Sequence, residues 1–251
     1  MGRGSLMSAI AHERKTARRQ PVIFCDFDGT ITVNDNIVSI MKHFNPPGWQ
    51  QIKDDILGQR ISIREGVGRM FALLPTTRRE EIVRFSVENV EIRPGFGQFV
   101  DYCRNNGIRL LVTSGGIDFF VYPVLSRFAI PETDIYCNGS DFRGETIRIL
   151  WPHPCDEHCR LDCGMCKTTI VRSYPADRYV RIVIGDSITD LAAAKLADLV
   201  IARDFLAQKC AELGIPHHPF ETFFDCMDIL EDVRPHTLKR RPNSRNRLPV
   251  L

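Results

Sequence analysis

Pro21-Val22-Ile23-Phe24-Cys25-Asp26-Phe27-Asp28-Gly29-Thr30 is the stretch whose reading decides the fold. Its apolar first half has the length and composition of a buried parallel strand. Two carboxylates, Asp26 and Asp28, follow two residues apart. Just past a strand end, that spacing points both to the same side of a sheet. Packing does not explain them, because unpaired buried charges are costly. A divalent cation between them relieves the cost, and Mg²⁺ prefers carboxylate oxygens. Gly29 lets the chain turn close to a ligand. The bland alternative is an Asp-rich turn, and the rest of the chain decides against it.

Downstream the pattern changes twice. From Asp35 to Val90 it is helical throughout: Ile37, Ile40, Met41 and Phe44 recur at helical spacing, as do Val67, Met70, Phe71 and Leu74. Pro46-Pro47-Gly48 and Pro75 punctuate this block. After Arg93-Pro94-Gly95, helices and strands alternate. Strands are expected at Ile108 to Val112, Asp134 to Cys137, Val180 to Ile184 and Leu199 to Ala202, with a small hairpin over Asp141 to Leu150. Helices are expected over Phe96 to Asn105, Asp118 to Phe128, Thr189 to Leu196 and Asp204 to Leu213. Strands separated by such helices make right-handed βαβ units. The expected fold is α/β, a Rossmann-like doubly wound parallel sheet with an inserted helical cap. The expected limits are a core at 21–34 and 91–234, a cap at 35–90, and loose tails at 1–20 and 235–251.

Composition agrees with a soluble globular body: 251 residues, 43% hydrophobic, 25% charged, net charge +2. Part of the basic excess sits in the tails, from His12 to Arg19 and from Lys239 to Arg247. No basic stripe marks the body, so no nucleic-acid role is expected. No apolar stretch approaches a membrane span and the N-terminus lacks a signal core, so a cytoplasmic location is expected. Nine cysteines then read as thiols or metal ligands rather than disulfides.

Doubly wound folds bind ligands at the carboxyl ends of their strands. Besides Asp26 and Asp28, two further strand ends carry polar signatures. Thr113-Ser114-Gly115-Gly116 offers a hydroxyl and backbone N–H groups that can hold phosphate, though it also reads as a plain turn. Gly185-Asp186-Ser187-Ile188-Thr189-Asp190 adds two carboxylates that can complete a metal site, and Asp190 also suits a helix start.

This ordered set, with Lys167 between the second and third signatures, resembles the haloacid dehalogenase superfamily of phosphatases over roughly residues 21 to 230. The resemblance implies an aspartyl-phosphate mechanism. Asp26 would be the nucleophile and Asp28 the general acid and base. Ser114, Gly115 and Lys167 would bind phosphate. Mg²⁺ would be held by the Asp26 carboxylate, the Asp28 carbonyl and the Asp186 carboxylate, with Asp190 orienting water or Lys167. The second aspartate, Asp28, favours phosphoester hydrolysis over the dehalogenase and ATPase branches. The helical block matches the cap of phosphoserine phosphatases, in which Asp35 and Arg69 would face substrate; Arg69 also reads as a solvated surface residue.

A closer resemblance is to the methionine-salvage branch of the superfamily. It rests on Ile31-Thr32-Val33-Asn34-Asp35-Asn36, Gly66 to Phe71, Gly115 to Pro123, Trp151-Pro152-His153 and the cluster Cys155, Cys159, Cys163 and Cys166. Thr189, where phosphoserine phosphatases usually carry asparagine, agrees with it. The substrate would be a small phosphate ester, a methylthiopentenyl enol phosphate. The rivals are another small-metabolite phosphatase, phosphoserine phosphatase first, or an inactive binding protein on the same fold.

Cys155, Cys159, Cys163 and Cys166 form Cys-x₃-Cys-x₃-Cys-x₂-Cys directly before Lys167. Four thiols in one loop can make a tetrahedral zinc site. Free thiols and an iron–sulfur site are the alternatives, and His153 or His158 could replace a thiolate. The other five cysteines read as buried small hydrophobes, and His217-His218 as loop residues.

Overall fold

The computed structural model describes residues 19–237. The expected tails fall almost wholly outside them. The core nevertheless starts earlier than the sequence suggested. β1 (Gln20–Cys25) begins at Gln20, and Arg19 before it is buried, donating to Asp198 at 3.0 Å.

Among the described residues, seven strands form one sheet in the order β4-β3-β2-β1-β5-β6-β7. β2 (Arg109–Ile117), β3 (Ile135–Asp141), β5 (Tyr179–Gly185), β6 (Leu199–Ala202) and β7 (His218–Pro219) run parallel with β1, and β4 (Arg148–Leu150) is antiparallel to β3. β1 is central, which explains its unbroken apolar run. Ile23 and Cys25 feed one core cluster, Val22 and Phe24 another, the two-residue period of a strand covered on both faces.

The 35–90 block holds four helices: α1 (Asn36–Phe44), α2 (Trp49–Leu57), α3 (Ile63–Phe71) and α4 (Arg79–Asn89). Their apolar faces, led by Ile40, Met41, Trp49, Phe71 and Ile82, join the Ile23–Cys25 side of the core. That side is completed by α5 (Phe96–Asn105), α6 (Asp118–Leu125) and α10 (Phe223–Thr237). Phe71 meets Phe119 of α6 edge-on at 5.7 Å, tying the 35–90 block to the helices that cover this face of the sheet. On the opposite face lie α7 (Lys167–Arg172), α8 (Ile188–Ala194) and α9 (Asp204–Glu212).

Three readings need correction. Asp134 to Cys137 and the first arm of the expected hairpin are a single strand, β3, which pairs with β4 from Gly139 to Asp141. β2 does not stop at Val112 but continues through Ser114-Gly115-Gly116 to Ile117, with a register shift after Thr113. His218 lies in β7, opposite Ile201, rather than in a loop. Cys25, Cys103, Cys137, Cys210 and Cys226 are all buried, as expected, and burial pushes the Cys103 thiol up to about 12.

Candidate active site

The register puts three polar strand ends side by side. Cys25 pairs with Val112 on one flank and Ile184 on the other, so Asp26, the Thr113-Ser114 step and the Gly185-Asp186 step gather at the carboxyl edge of β1, β2 and β5. Residues 27–31 then form one wide turn, closed by the Thr32 N–H donating to the Phe27 carbonyl at 2.9 Å. Gly29 holds it at φ +79°, and a Cβ there would lie 2.4 Å from an Asp186 carboxylate oxygen.

Buried Arg93 fixes the turn from outside. Its guanidinium donates to the Gly29 and Thr30 carbonyls, both at 2.7 Å. The Thr30 hydroxyl donates to Asp186 Oδ1 at 2.7 Å, linking the first signature to the third.

Lys167, only 6% exposed, is the centre of the charge arrangement. Its Nζ lies 2.7 Å from Asp26 Oδ1 and 2.6 Å from Asp190 Oδ1. Burial would push this ammonium down, but Asp190 and Asp26 outweigh it and hold it above its ordinary range. Burial and the neighbouring Asp190 push the Asp26 carboxyl up, against the pull of Lys167. Burial takes Asp186 from 3.8 to about 6. One ammonium thus faces three close carboxylates, Asp26, Asp186 and Asp190, whose oxygens lie within 4.8 Å of one another. Such an excess of buried negative charge, in oxygen-only donors, fits a hard divalent cation.

Asp190 does two jobs. Its Oδ1 holds Lys167, while its Oδ2 accepts from the Ser187 backbone N–H at 3.1 Å in a capping box that starts α8. One side chain thus holds Lys167 and starts α8. Asp28 Oδ1 accepts from the Asn36 N–H at 2.9 Å and from Asn36 Nδ2 at 2.7 Å. Burial first, and the negative charge of Asp35 second, push the Asp28 carboxyl from 3.8 to about 7. Ser114 is fully buried and its Oγ accepts from the Gly116 N–H at 2.9 Å. Gly115 beside it is exposed, the space over it is open, and its carbonyl accepts from Asn138 Nδ2 at 2.8 Å.

Residues 23–195 match the family model of the haloacid dehalogenase-like hydrolases. The chain belongs to that family. Two similar relatives are named 2-hydroxy-3-keto-5-methylthiopentenyl-1-phosphate phosphatase. One, from Brevibacillus brevis, is 59% identical over 85% of this chain and 96% of its own length. The other, from Geobacillus kaustophilus, is 58% identical over the same shares. Among solved structures, a phospho-aspartyl intermediate analogue of phosphoserine phosphatase superposes with a TM-score of 0.63, covering 84% of this chain and 99% of that one. At 16% identity that likeness speaks for the α/β fold alone.

Asp35 caps α1, its Oδ1 accepting from the Val38 N–H at 2.8 Å, and its negative charge helps to raise the Asp28 carboxyl. Arg69 is exposed on α3 and pairs with Glu65 at 3.4 Å. The four cysteines from Cys155 to Cys166 do converge, as the spacing suggested. Thr30, Asn36, Arg93 and Asn138 were not singled out from the sequence. Each acts through a hydrogen bond to another segment of the chain, and although Thr30 and Asn36 stood inside recognised motifs, no role was assigned to either.

Proposed function

We propose that this chain hydrolyses 2-hydroxy-3-keto-5-methylthiopentenyl-1-phosphate to 1,2-dihydroxy-3-keto-5-methylthiopentene in methionine salvage, through an aspartyl phosphate on Asp26. The observation that carries the chemistry is the pairing of a buried Asp26–Lys167 contact with a near-neutral Asp28. The substrate rests on the high identity to the two relatives of that name. A phosphoserine phosphatase is the rival reading.

Asp26 Oδ1 takes hydrogen bonds from the Phe27 N–H and Lys167, so Oδ2 is the oxygen presented to phosphorus. Attack forms the Oδ2–P bond and breaks the bond from phosphorus to the leaving oxygen. Lys167, the Ser114 hydroxyl and the backbone at Gly115 would balance the charge of the phosphoryl oxygens. Asp28, poised near neutrality, donates a proton to the leaving enol oxygen and then accepts one from the water that attacks the aspartyl phosphate. The Asp26 and Asp186 carboxylates and the Asp28 carbonyl would hold Mg²⁺, which when bound neutralises phosphate charge. The four-helix cap would supply the groups that meet the substrate beyond its phosphate, with Asp35 and Arg69 as polar candidates. No helix among the described residues is long and apolar enough to cross a membrane.

Single-turnover phosphorylation should fall as pH rises through about 7, because that step needs protonated Asp28. Asn36 hydrogen-bonds the ionised form and so lowers the Asp28 pKa. Asn36→Ala should therefore raise it and move the falling limb to higher pH. A limb that stays in place would separate Asp28 from the acid role.

Specificity constants for the enol phosphate, phosphoserine and an aryl phosphate test the substrate directly. The enol phosphate should rank first, since phosphoserine's charged end needs more polar partners. Arg69→Ala should lower turnover of the enol phosphate far more than that of the aryl phosphate. Releasing its exposed pair with Glu65 costs little stability. A preference for phosphoserine would overturn the substrate assignment.

A further inference from the structure

Residues 151–166 carry neither helix nor strand, yet they connect β4 to the first residue of α7, which is Lys167. A segment of that length without regular structure needs something besides its own hydrogen bonds to hold one shape. Much of it is half-buried or exposed, so apolar packing supplies little. Four sulfurs gather where that support is needed. The Sγ atoms of Cys155, Cys159, Cys163 and Cys166 all lie within 4.8 Å of one another. Cys159 and Cys163 are 3.8 Å apart. Sulfurs at about 2.3 Å from a tetrahedral zinc stand about 3.8 Å from one another, so this pair already spans an edge of the tetrahedron. The backbone also solvates sulfur, as the Cys163 N–H donates to Cys155 Sγ at 3.4 Å. Gly164, at φ +81°, turns the chain tightly between the third and fourth thiols.

Both sides of this knot touch working parts of the enzyme. Cys166 directly precedes Lys167, whose ammonium sits against Asp26. Asp162, between the second and third sulfur-bearing turns, accepts from the Ser62 hydroxyl at 2.6 Å and pairs with Arg64 at 3.3 Å, both at the start of cap helix α3. Arg64 in turn lies over the Trp151 ring at 5.6 Å. Gly164 packs so closely on that ring that a Cβ would come within 2.7 Å of it.

We propose that Cys155, Cys159, Cys163 and Cys166 bind one structural Zn²⁺, and that this centre seats Lys167 at the active site and docks α3 of the cap against the core. Binding replaces four S–H bonds by four Zn–S bonds and releases the protons to solvent. Four thiolates close the coordination shell, so the ion takes no part in the chemistry. The soft donor set favours zinc over the Mg²⁺ that suits the carboxylate cluster. The positive side chain of Arg172 flanks the loop and offsets part of the charge of the tetrathiolate; Asp156 holds it there.

Elemental analysis of the full chain, purified under reducing conditions without added metal, should find about one zinc per chain. Cys159→Ser with Cys163→Ser should lose it, and Cys159→His, which restores a zinc-competent donor, should keep it. The serine double variant should be cut faster by protease within residues 155–166. Its KM should rise more for the enol phosphate than for an aryl phosphate, because the cap is no longer docked. Should that variant fail to fold, the parent grown with Co²⁺ should show the visible and charge-transfer bands of tetrahedral thiolate cobalt. Iron in place of zinc, no metal in the reduced parent, or full zinc retention in the serine double variant would overturn the proposal. The metal count is independent of which ester the active site hydrolyses, so this test and the substrate panel fail separately.

Discussion

Asp26→Asn should abolish turnover while leaving the fold close to intact. The amide keeps the shape of the carboxylate and can still accept from the Phe27 N–H, but it is a poor nucleophile and a poorer cation ligand. The expected loss in kcat is at least ~10³-fold, the scale of removing an activated catalytic group. Lys167 keeps its contact with Asp190, so the ammonium is not stranded. One buried negative charge is also removed from a crowded cluster, so thermal stability should hold or rise. Steady-state kinetics and a melting curve on the same preparation check both halves. Turnover within about tenfold of the parent, a bound on that scale, would end the covalent account.

Lys167→Met should do the opposite to stability and the same to activity. Met matches the length of the stem but leaves Asp26 and Asp190 facing each other without the cation that separates them. Removing one partner of a buried pair typically costs about 3–5 kcal/mol. The sign with pH follows from the shift on Asp26. Its folded-state pKa lies above the ordinary 3.8, and without Lys167 it rises further. A carboxyl with a raised folded-state pKa loses stability as pH climbs from its unfolded value through the folded one. The penalty of Lys167→Met should therefore be larger at pH 8 than at pH 5, and urea melts at both values measure it. Turnover should fall by at least ~10³-fold at either pH, because the phosphoryl oxygens lose a fixed charge. Equal destabilisation at both pH values would mean that the buried carboxylates are not what the lysine offsets.

Most of the site was legible in the sequence because its residues stand at fixed offsets from apolar strands. Asp26, Ser114 and Asp186 each follow a run that could only be a buried strand, and parallel pairing then brings the ends together. Lys167 was named from its order among the motifs, and it lies buried against Asp26 and Asp190. What stayed hidden depends on long-range burial. Arg93 looks like a solvated residue before a Pro-Gly turn, yet its guanidinium reaches back to carbonyls of Gly29 and Thr30. Asn36 looks like a helix start, and only the turn of residues 27–31 brings Asp28 onto its amide. β2 was cut short because Ser114-Gly115-Gly116 reads as a break, whereas β3 keeps pairing across a register shift as far as Asn138. β7 has two residues, too few for any period to show. α10 carries apolar residues at helical spacing, Phe223, Cys226 and Leu230, yet no helix was expected there and its last three residues were read as tail.

In the proposed mechanism Asp26 carries the phosphoryl group, and trapping that intermediate tests it. Asp28→Asn removes the base for the second step, while an aryl phosphate needs little acid help in the first. Mixing this variant with an aryl phosphate and Mg²⁺ should release one equivalent of phenol per active site in a burst. Acid quench and peptide mapping should then place the phosphoryl group on the peptide that contains Asp26. No burst, or a phosphoryl group mapped to any other residue, would contradict the account.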